Sequence, residues 1–259
     1  LIIKRCGFLK PGESVVIVCD KTTRAAGKLL ESQAKRITGK VTLIETAPFK
    51  MHGEEPSKEI SDYMSNSDLC IGITAKSMAH TRARQQASAA GSRYLSLPEY
   101  SLELFADASI RADYEARGVL ARYLADVFTA GSAVEVSTDA GTRITMKISG
   151  RTGNCCPGYV KAPGEMGSPP DIEANVSPIE TSAEGVVVVD GAIPYPAIGL
   201  LKSPVILQVS GGRIVQMDGE ARVTKELDRL FKSARSDKAY VLAECGVGMN
   251  DKAALTGVM

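Results

Sequence analysis

Residues 14–19 read Ser14-Val15-Val16-Ile17-Val18-Cys19, an unbroken run dominated by β-branched side chains. A strand with one wet face alternates apolar and polar residues. A run without alternation is expected of a strand buried on both faces, as in the middle of a parallel sheet. Working outward, helical spacing follows from Thr23 to about Arg36, and Val41 to Glu45 gives a second strand. Lys58 to Met64 reads as a short helix, Leu69 to Ile73 as a third strand and His80 to Ala90 as a helix. Arg93 to Leu97 is a fourth strand, stopped by Pro98. The βαβαβαβ order implies a parallel sheet with helices on both faces.

Beyond a long helix from about Ile110 to Phe128, the period changes at Gly131. Val134 to Ser137 and Arg143 to Ile148 alternate by two around Asp139-Ala140-Gly141, a hairpin signature. Arg151 to Pro178 is rich in Gly, Pro and Cys and has no period; loops of that length are often functional. Strands are expected at Gly185 to Val189, Val205 to Val209 and Ile214 to Met217, with Gly211-Gly212 turning between the last two. Thr224 to Ala234 is helical, and Ala239 to Glu244 reads as a final strand. The expected fold is therefore an α/β domain with a parallel sheet over residues 1–130. An α+β, mainly antiparallel domain is expected over 131–259.

The 259 residues are 44% hydrophobic and 24% charged, with a net charge of +1. No basic surplus or dense run of Lys and Arg suggests nucleic acid. No apolar run reaches the ~18 residues of a membrane span, and no secretory signal is visible at the start, where the chain opens on Leu1. The six cysteines have no disulfide-framework spacing, so a reducing cytoplasm is expected. The adjacent Cys155 and Cys156 suit either a soft metal or redox chemistry, or simply a loop. No CxxC partner or His lies near them, which favours the loop.

The first strand ends Cys19-Asp20-Lys21-Thr22-Thr23, without GxGxxG or a GxxxxGK[ST] loop, so a dinucleotide or nucleotide phosphate site is not expected. A helix cap at Thr22 or Thr23 accounts for the polar run. His52 and His80 are the two histidines. Both follow predicted parallel strands at their carboxyl ends, where open α/β sheets bind ligands. His80 is the candidate catalytic residue. Two carboxylates also stand out. Glu180 precedes the strand at Gly185, and Glu244 closes Ala239 to Glu244 ahead of Gly246 and Gly248. Glu is rarely buried unless paired or metal-bound, whereas a Glu at a strand edge commonly pairs with Arg or Lys.

These segments resemble the M29 family of metal-dependent aminopeptidases. The matching stretches are Asn175 to Glu180 with Gly185 to Gly191, and Leu242-Ala243-Glu244-Cys245-Gly246-Val247-Gly248-Met249-Asn250. Lys10 to Glu13, His52 to Pro56 and Ser77 to Thr81 also resemble the family. The resemblance implies a one- or two-metal site (Zn, Co or Mn) with Glu180 and Glu244 as ligands, a peptide substrate and a homodimer. It also implies histidine ligands that do not occur before Met259, so the native polypeptide is expected to continue. The same fold resembles 2,5-dihydroxypyridine 5,6-dioxygenase, a ring-cleaving enzyme of a small-molecule substrate with Fe(II) in a facial triad. Ala183-Glu184-Gly185 and His80 fit that relative as well, whereas a facial triad does not need two glutamates. A non-catalytic α/β binding protein is the third reading.

Overall fold

The computed structural model describes residues 1–257. Its α-carbons cluster into two compact units. The first comprises Leu1–Ala121, Cys155–Glu173 and Gly248–Ala253, and the second Arg122–Asn154, Ala174–Val247 and the residues from Ala254.

In the first unit the strands are β1 (Val15–Asp20), β2 (Val41–Thr46), β3 (Leu69–Ile73) and β4 (Arg93–Ser96). They alternate with helices α1 (Arg24–Lys35), α2 (Lys58–Ser65) and α3 (Arg82–Ala89). The chain continues through α4 (Tyr114–Ala130), then β5 (Ala133–Ser137), β6 (Arg143–Lys147), β7 (Asn154–Cys156), β8 (Met166–Gly167) and β9 (Glu173–Val176). β10 (Glu184–Val189), β11 (Ala192–Ile193), β12 (Gly199–Leu200), β13 (Val205–Ser210) and β14 (Arg213–Asp218) precede α5 (Ala221–Ser233) and β15 (Cys245–Gly248). The parallel sheet has the order β2-β1-β3-β4-β8 and a second sheet the order β14-β13-β10-β6-β5. β11 pairs with β12, and β15, β9 and β7 form a three-stranded sheet. The fold is thus α/β with a parallel sheet plus a mainly antiparallel α+β part.

Every residue of β1, β3 and β4 is buried, which is why their sequences do not alternate. The register pairs Val15 with both Val41 and Leu69, so β1 is an interior strand. Gly72 in β3 leaves room for the Tyr94 ring of β4: a Cβ there would lie 2.2 Å from the Tyr94 hydroxyl oxygen. At the amino ends of the strands, the guanidinium of Arg93 is 4% exposed. It donates to the carbonyls of Gly7 (3.1 Å), Phe8 (3.0 Å) and Asp68 (3.3 Å) and to the Glu13 carboxylate at 2.5 Å.

Several sequence expectations need correction. His80 does not open a helix; Thr81 is the N-cap of α3, its hydroxyl accepting from Arg84 N–H, and His80 stays in the turn before it. The helix expected from Ile110 begins at Tyr114. Ala108–Arg111 is a separate 3₁₀ turn, and the Asp113 side chain accepts from Ala116 N–H. Ala239 to Glu244 is not a strand. Ser236 accepts from Lys238 N–H and starts a 3₁₀ turn over Asp237–Tyr240, Val241 makes an isolated bridge to Arg213, and pairing resumes only at Cys245–Gly248. The segment Arg151 to Pro178 contains β7, β8 and the whole of β9. The π-helical turn at Ile2–Cys6 had no sequence signal. No described helix is long and apolar enough to cross a membrane.

Candidate functional site

The order β2-β1-β3 reverses direction between β1 and β3, so the crevice at their carboxyl ends is where an open α/β sheet takes a ligand. Here Asp20, fully buried at the end of β1, spans it. One carboxylate oxygen accepts from Thr22 N–H (2.8 Å), the Thr22 hydroxyl (2.5 Å) and Thr23 N–H (3.3 Å); the other accepts from Ala75 N–H at 2.6 Å. Burial pushes the Asp20 carboxyl up, but the Thr22 hydroxyl and the three N–H donors outweigh it and leave the pKa below the usual aspartate value. The Thr23 hydroxyl donates to Ile73 O (2.5 Å) rather than capping α1. An internal carboxylate thus uses the donors that a bound anion would otherwise take. Sequence reading saw a polar run here and missed the clamp. The signal was an Asp closing an otherwise apolar buried strand.

The two histidines lie on neighbouring loops. Ser77 N–H donates to His52 Nδ1 (3.2 Å) and Gly53 N–H returns a bond to Ser77 O (2.9 Å), tying the loop after β2 to the loop after β3. With Nδ1 accepting, the neutral ring carries its proton on Nε2. Ser77 Oγ lies 3.2 Å from Ser96 Oγ, and Ser168 Oγ donates to Ser96 O at 3.0 Å. Glu55 accepts from Arg82 and Ala83 N–H at the start of α3, where its charge suits the helix dipole. His80 is exposed on this same loop edge.

In the second unit, Glu180 occupies the tip of a turn closed by Ser182 N–H to Ile179 O, 2.9 Å. The turn is fixed to the end of β6: Ile179 N–H donates to Lys147 O (2.9 Å) and Lys147 N–H to Ser182 Oγ (3.0 Å). Arg151 donates to the Glu180 carboxylate at 2.6 Å. A hydrogen bond from its own N–H, then the charge of Arg151, holds the Glu180 carboxyl below the usual range. Gly212, at φ +76, allows a close passage: a Cβ there would lie 1.8 Å from Glu180 O. Gly212 O in turn accepts from Leu242 N–H at 2.9 Å, two residues before the exposed Glu244. The Gly211-Gly212 turn therefore holds the segments of both glutamates. Among the described residues, no three His, Cys, Asp or Glu side chains are grouped as a metal would need. Asn250, also in the matched stretch, is a packing residue: its amide donates to Ser109 O (3.0 Å) and Pro170 O (2.6 Å).

All six cysteines are free thiols. Burial, with the Asp171 carboxylate beside it, pushes Cys156 from 9.0 up to about 12. At pH 8 its thiolate fraction falls by roughly a thousandfold relative to an unfolded thiol. Cys156 should therefore remain unlabelled by iodoacetamide under conditions that alkylate the denatured chain, as peptide mass mapping will read. Rapid native alkylation of Cys156 would restore the redox reading.

A parallel doubly wound sheet joined within one chain to an antiparallel α+β unit is the architecture of two solved enzymes. The 2,5-dihydroxypyridine dioxygenase of Pseudomonas putida KT2440 matches with a TM-score of 0.76 and 20% identity, over 94% of this chain and 73% of that one. Wild-type AmpT from Thermus thermophilus, an M29 aminopeptidase, matches with a TM-score of 0.67 and 15% identity, over 95% and 76%. Likeness at these identities is a likeness of fold. The family is given by sequence: the model of NicX, 2,5-dihydroxypyridine 5,6-dioxygenase, matches residues 2–259, and the chain belongs to that family. No curated protein matches the sequence. The M29 expectation is thereby reduced to a distant relationship, and the dioxygenase family is the stronger match.

Proposed function

We propose that this protein opens the ring of a small hydroxylated nitrogen heteroaromatic with dioxygen, rather than hydrolysing peptides. The observation that carries this reading is the family match across residues 2–259. The peptidase reading rests on Glu180 and Glu244 as joint metal ligands, and the bond from Arg151 to the Glu180 carboxylate at 2.6 Å weighs against it. A divalent metal, Fe(II) for this chemistry, is the cofactor that family membership supports. The described residues do not assemble a three-ligand set for it. What the chain's own residues offer is the loop edge after β2 and β3. There His52 presents Nε2–H, and the serine cluster of Ser77, Ser96 and Ser168 fixes the loops against one another.

The test is paired. The purified chain, supplied with Fe(II), is given 2,5-dihydroxypyridine in an oxygen electrode and, separately, leucine p-nitroanilide. Loss of ring absorbance with one O₂ consumed per ring is expected. Release of p-nitroaniline with no oxygen uptake would return the protein to the peptidases. Saturable binding of the heterocycle with neither reaction would make it a binding protein.

The homodimer belongs to this proposal too. α4 buries Tyr114, Ala121, Ala125 and Phe128 on one face, while Val119, Leu120, Tyr123 and Val127 stand exposed on another. A helix apolar on both faces is one that something covers, and in this proposal a second copy of the chain covers it. Light scattering on the eluted protein should give twice 27.4 kDa, with Tyr123→Glu shifting the mass to that of one chain. A wild-type monomer would refute it.

A further inference from the structure

We propose that the cation serving Glu180 is Arg151, and that this pair is a structural latch on the β6 corner, not part of a metal centre. The inference stands apart from the ring-opening reading and concerns what Glu180 does whichever reaction the protein catalyses.

The local chain geometry builds the pair in advance. β6 ends at Lys147, and the backbone turns at once, with Arg151 N–H bonded to Ile148 O at 2.9 Å. Arg151 is thereby carried back over the turn that Lys147 already holds at both its N–H and its carbonyl. On the other side, the Ile179–Ser182 turn closes on itself. Ser182 Oγ also donates to Ile179 O at 2.7 Å, so the turn has little freedom to re-aim Glu180. Gly212 packs directly under the Glu180 carbonyl and fixes the backbone from below. The carboxylate therefore meets a guanidinium 2.6 Å away by the shortest route the backbone offers.

A catalytic metal asks for a different environment. It needs three or more donors converging from a fixed shell. The Glu180 side chain is 67% exposed at a turn tip, and no such group of donors occurs among the described residues. A divalent ion at Glu180 would have to displace a charge-assisted bond and then rely on water for its other ligands. Sequence reading assigned Glu180 to a metal because its position matches the aminopeptidase motif. The competing signal was Arg151 in the long loop, which no spacing rule connects to residue 180.

Two measurements decide the matter. In the first, Mn(II) and then Fe(II) under argon are titrated calorimetrically into the wild-type chain and into Glu180→Gln. The proposal expects the two proteins to behave alike within a factor of two, whether they bind the ion or not. A wild-type site weakened tenfold or more in Glu180→Gln would overturn it. In the second, melting temperatures are taken for Arg151→Met, Glu180→Gln and the double variant. Each single change should lower Tm by about 1–3 °C, the scale of an exposed pair in a chain of this size. The double variant should fall no further than the worse single one. Losses that add in full would show the two side chains to be independent and would also overturn the proposal.

Discussion

Replacing Arg93 by Met is expected to destabilise the protein by about 3–5 kcal/mol, the cost of removing one partner of a buried charged pair. In a chain of this size that amounts to a fall in Tm of roughly 10–15 °C. The effect has two sources. Glu13, whose side chain is 21% exposed, loses the guanidinium 2.5 Å away. The carbonyls of Gly7, Phe8 and Asp68 lose their buried donor as well. Arg93→Lys should recover little, because one ammonium cannot reach four acceptors in a fork. Adding Glu13→Leu to Arg93→Met should recover part of the loss by removing the orphaned carboxylate. Thermal melts of the three variants check this. A Tm within 3 °C of wild type for Arg93→Met would mean that the pin carries no weight.

Asp20→Ala is expected to cost about 3 kcal/mol, since it leaves the buried Thr23 N–H and the half-buried Thr22 and Ala75 N–H groups without their acceptor. Asp20 also leaves a signature in acid. Its folded pKa lies below the value of 3.8 taken for the unfolded chain. A depressed carboxylate contributes stability that is present above the unfolded pKa and lost as pH falls through the folded one. Wild type should therefore shed this part of its stability below about pH 4. Asp20→Asn, which cannot ionise, should be less stable at pH 7 and lose less on acidification. Urea melts at pH 7 and pH 3.5 separate the two proteins. Parallel acid slopes would show that folding leaves the Asp20 pKa unshifted and would refute the clamp. Because Ala75 lies on the loop that runs to Ser77 and His80, loosening the clamp should also lower any turnover that uses that edge.

The first unit's sheet was legible because its strands are buried on both faces, and Val15–Asp20 leaves no other reading. The hairpin of β5 and β6 was legible from its alternation around Asp139-Ala140-Gly141. Ala239 to Glu244 misled because its apolar run is the length of a strand. Residues outside the run decide its fate: Ser236 starts a 3₁₀ turn, and Gly212 takes the Leu242 N–H. Motif likeness placed Glu180 and Glu244 in one neighbourhood, and their segments do share the Gly212 turn. It did not foresee Arg151, since a partner 29 residues away in a loop leaves no periodic trace. The clamp at Asp20 was hidden for a similar reason: its key donor, Ala75, lies 55 residues further along.

The first unit draws a short piece of its structure from far down the chain. Met249 N–H donates to Ile172 O at 2.7 Å, Asn250 bonds Ser109 and Pro170, and Asp251 pairs with Arg117. During synthesis β1 to β4 can pair as soon as residues 1–121 have emerged and β8 can join them after residue 167, but this seam stays open until residues 248–253 follow. The unit that starts first is thus among the last to be finished, with the whole of 174–247 made in between. A ribosome stalled before residue 248 should display a sheet already formed yet still sensitive to protease around Ser109 and Pro170, and release of a few more residues should close it.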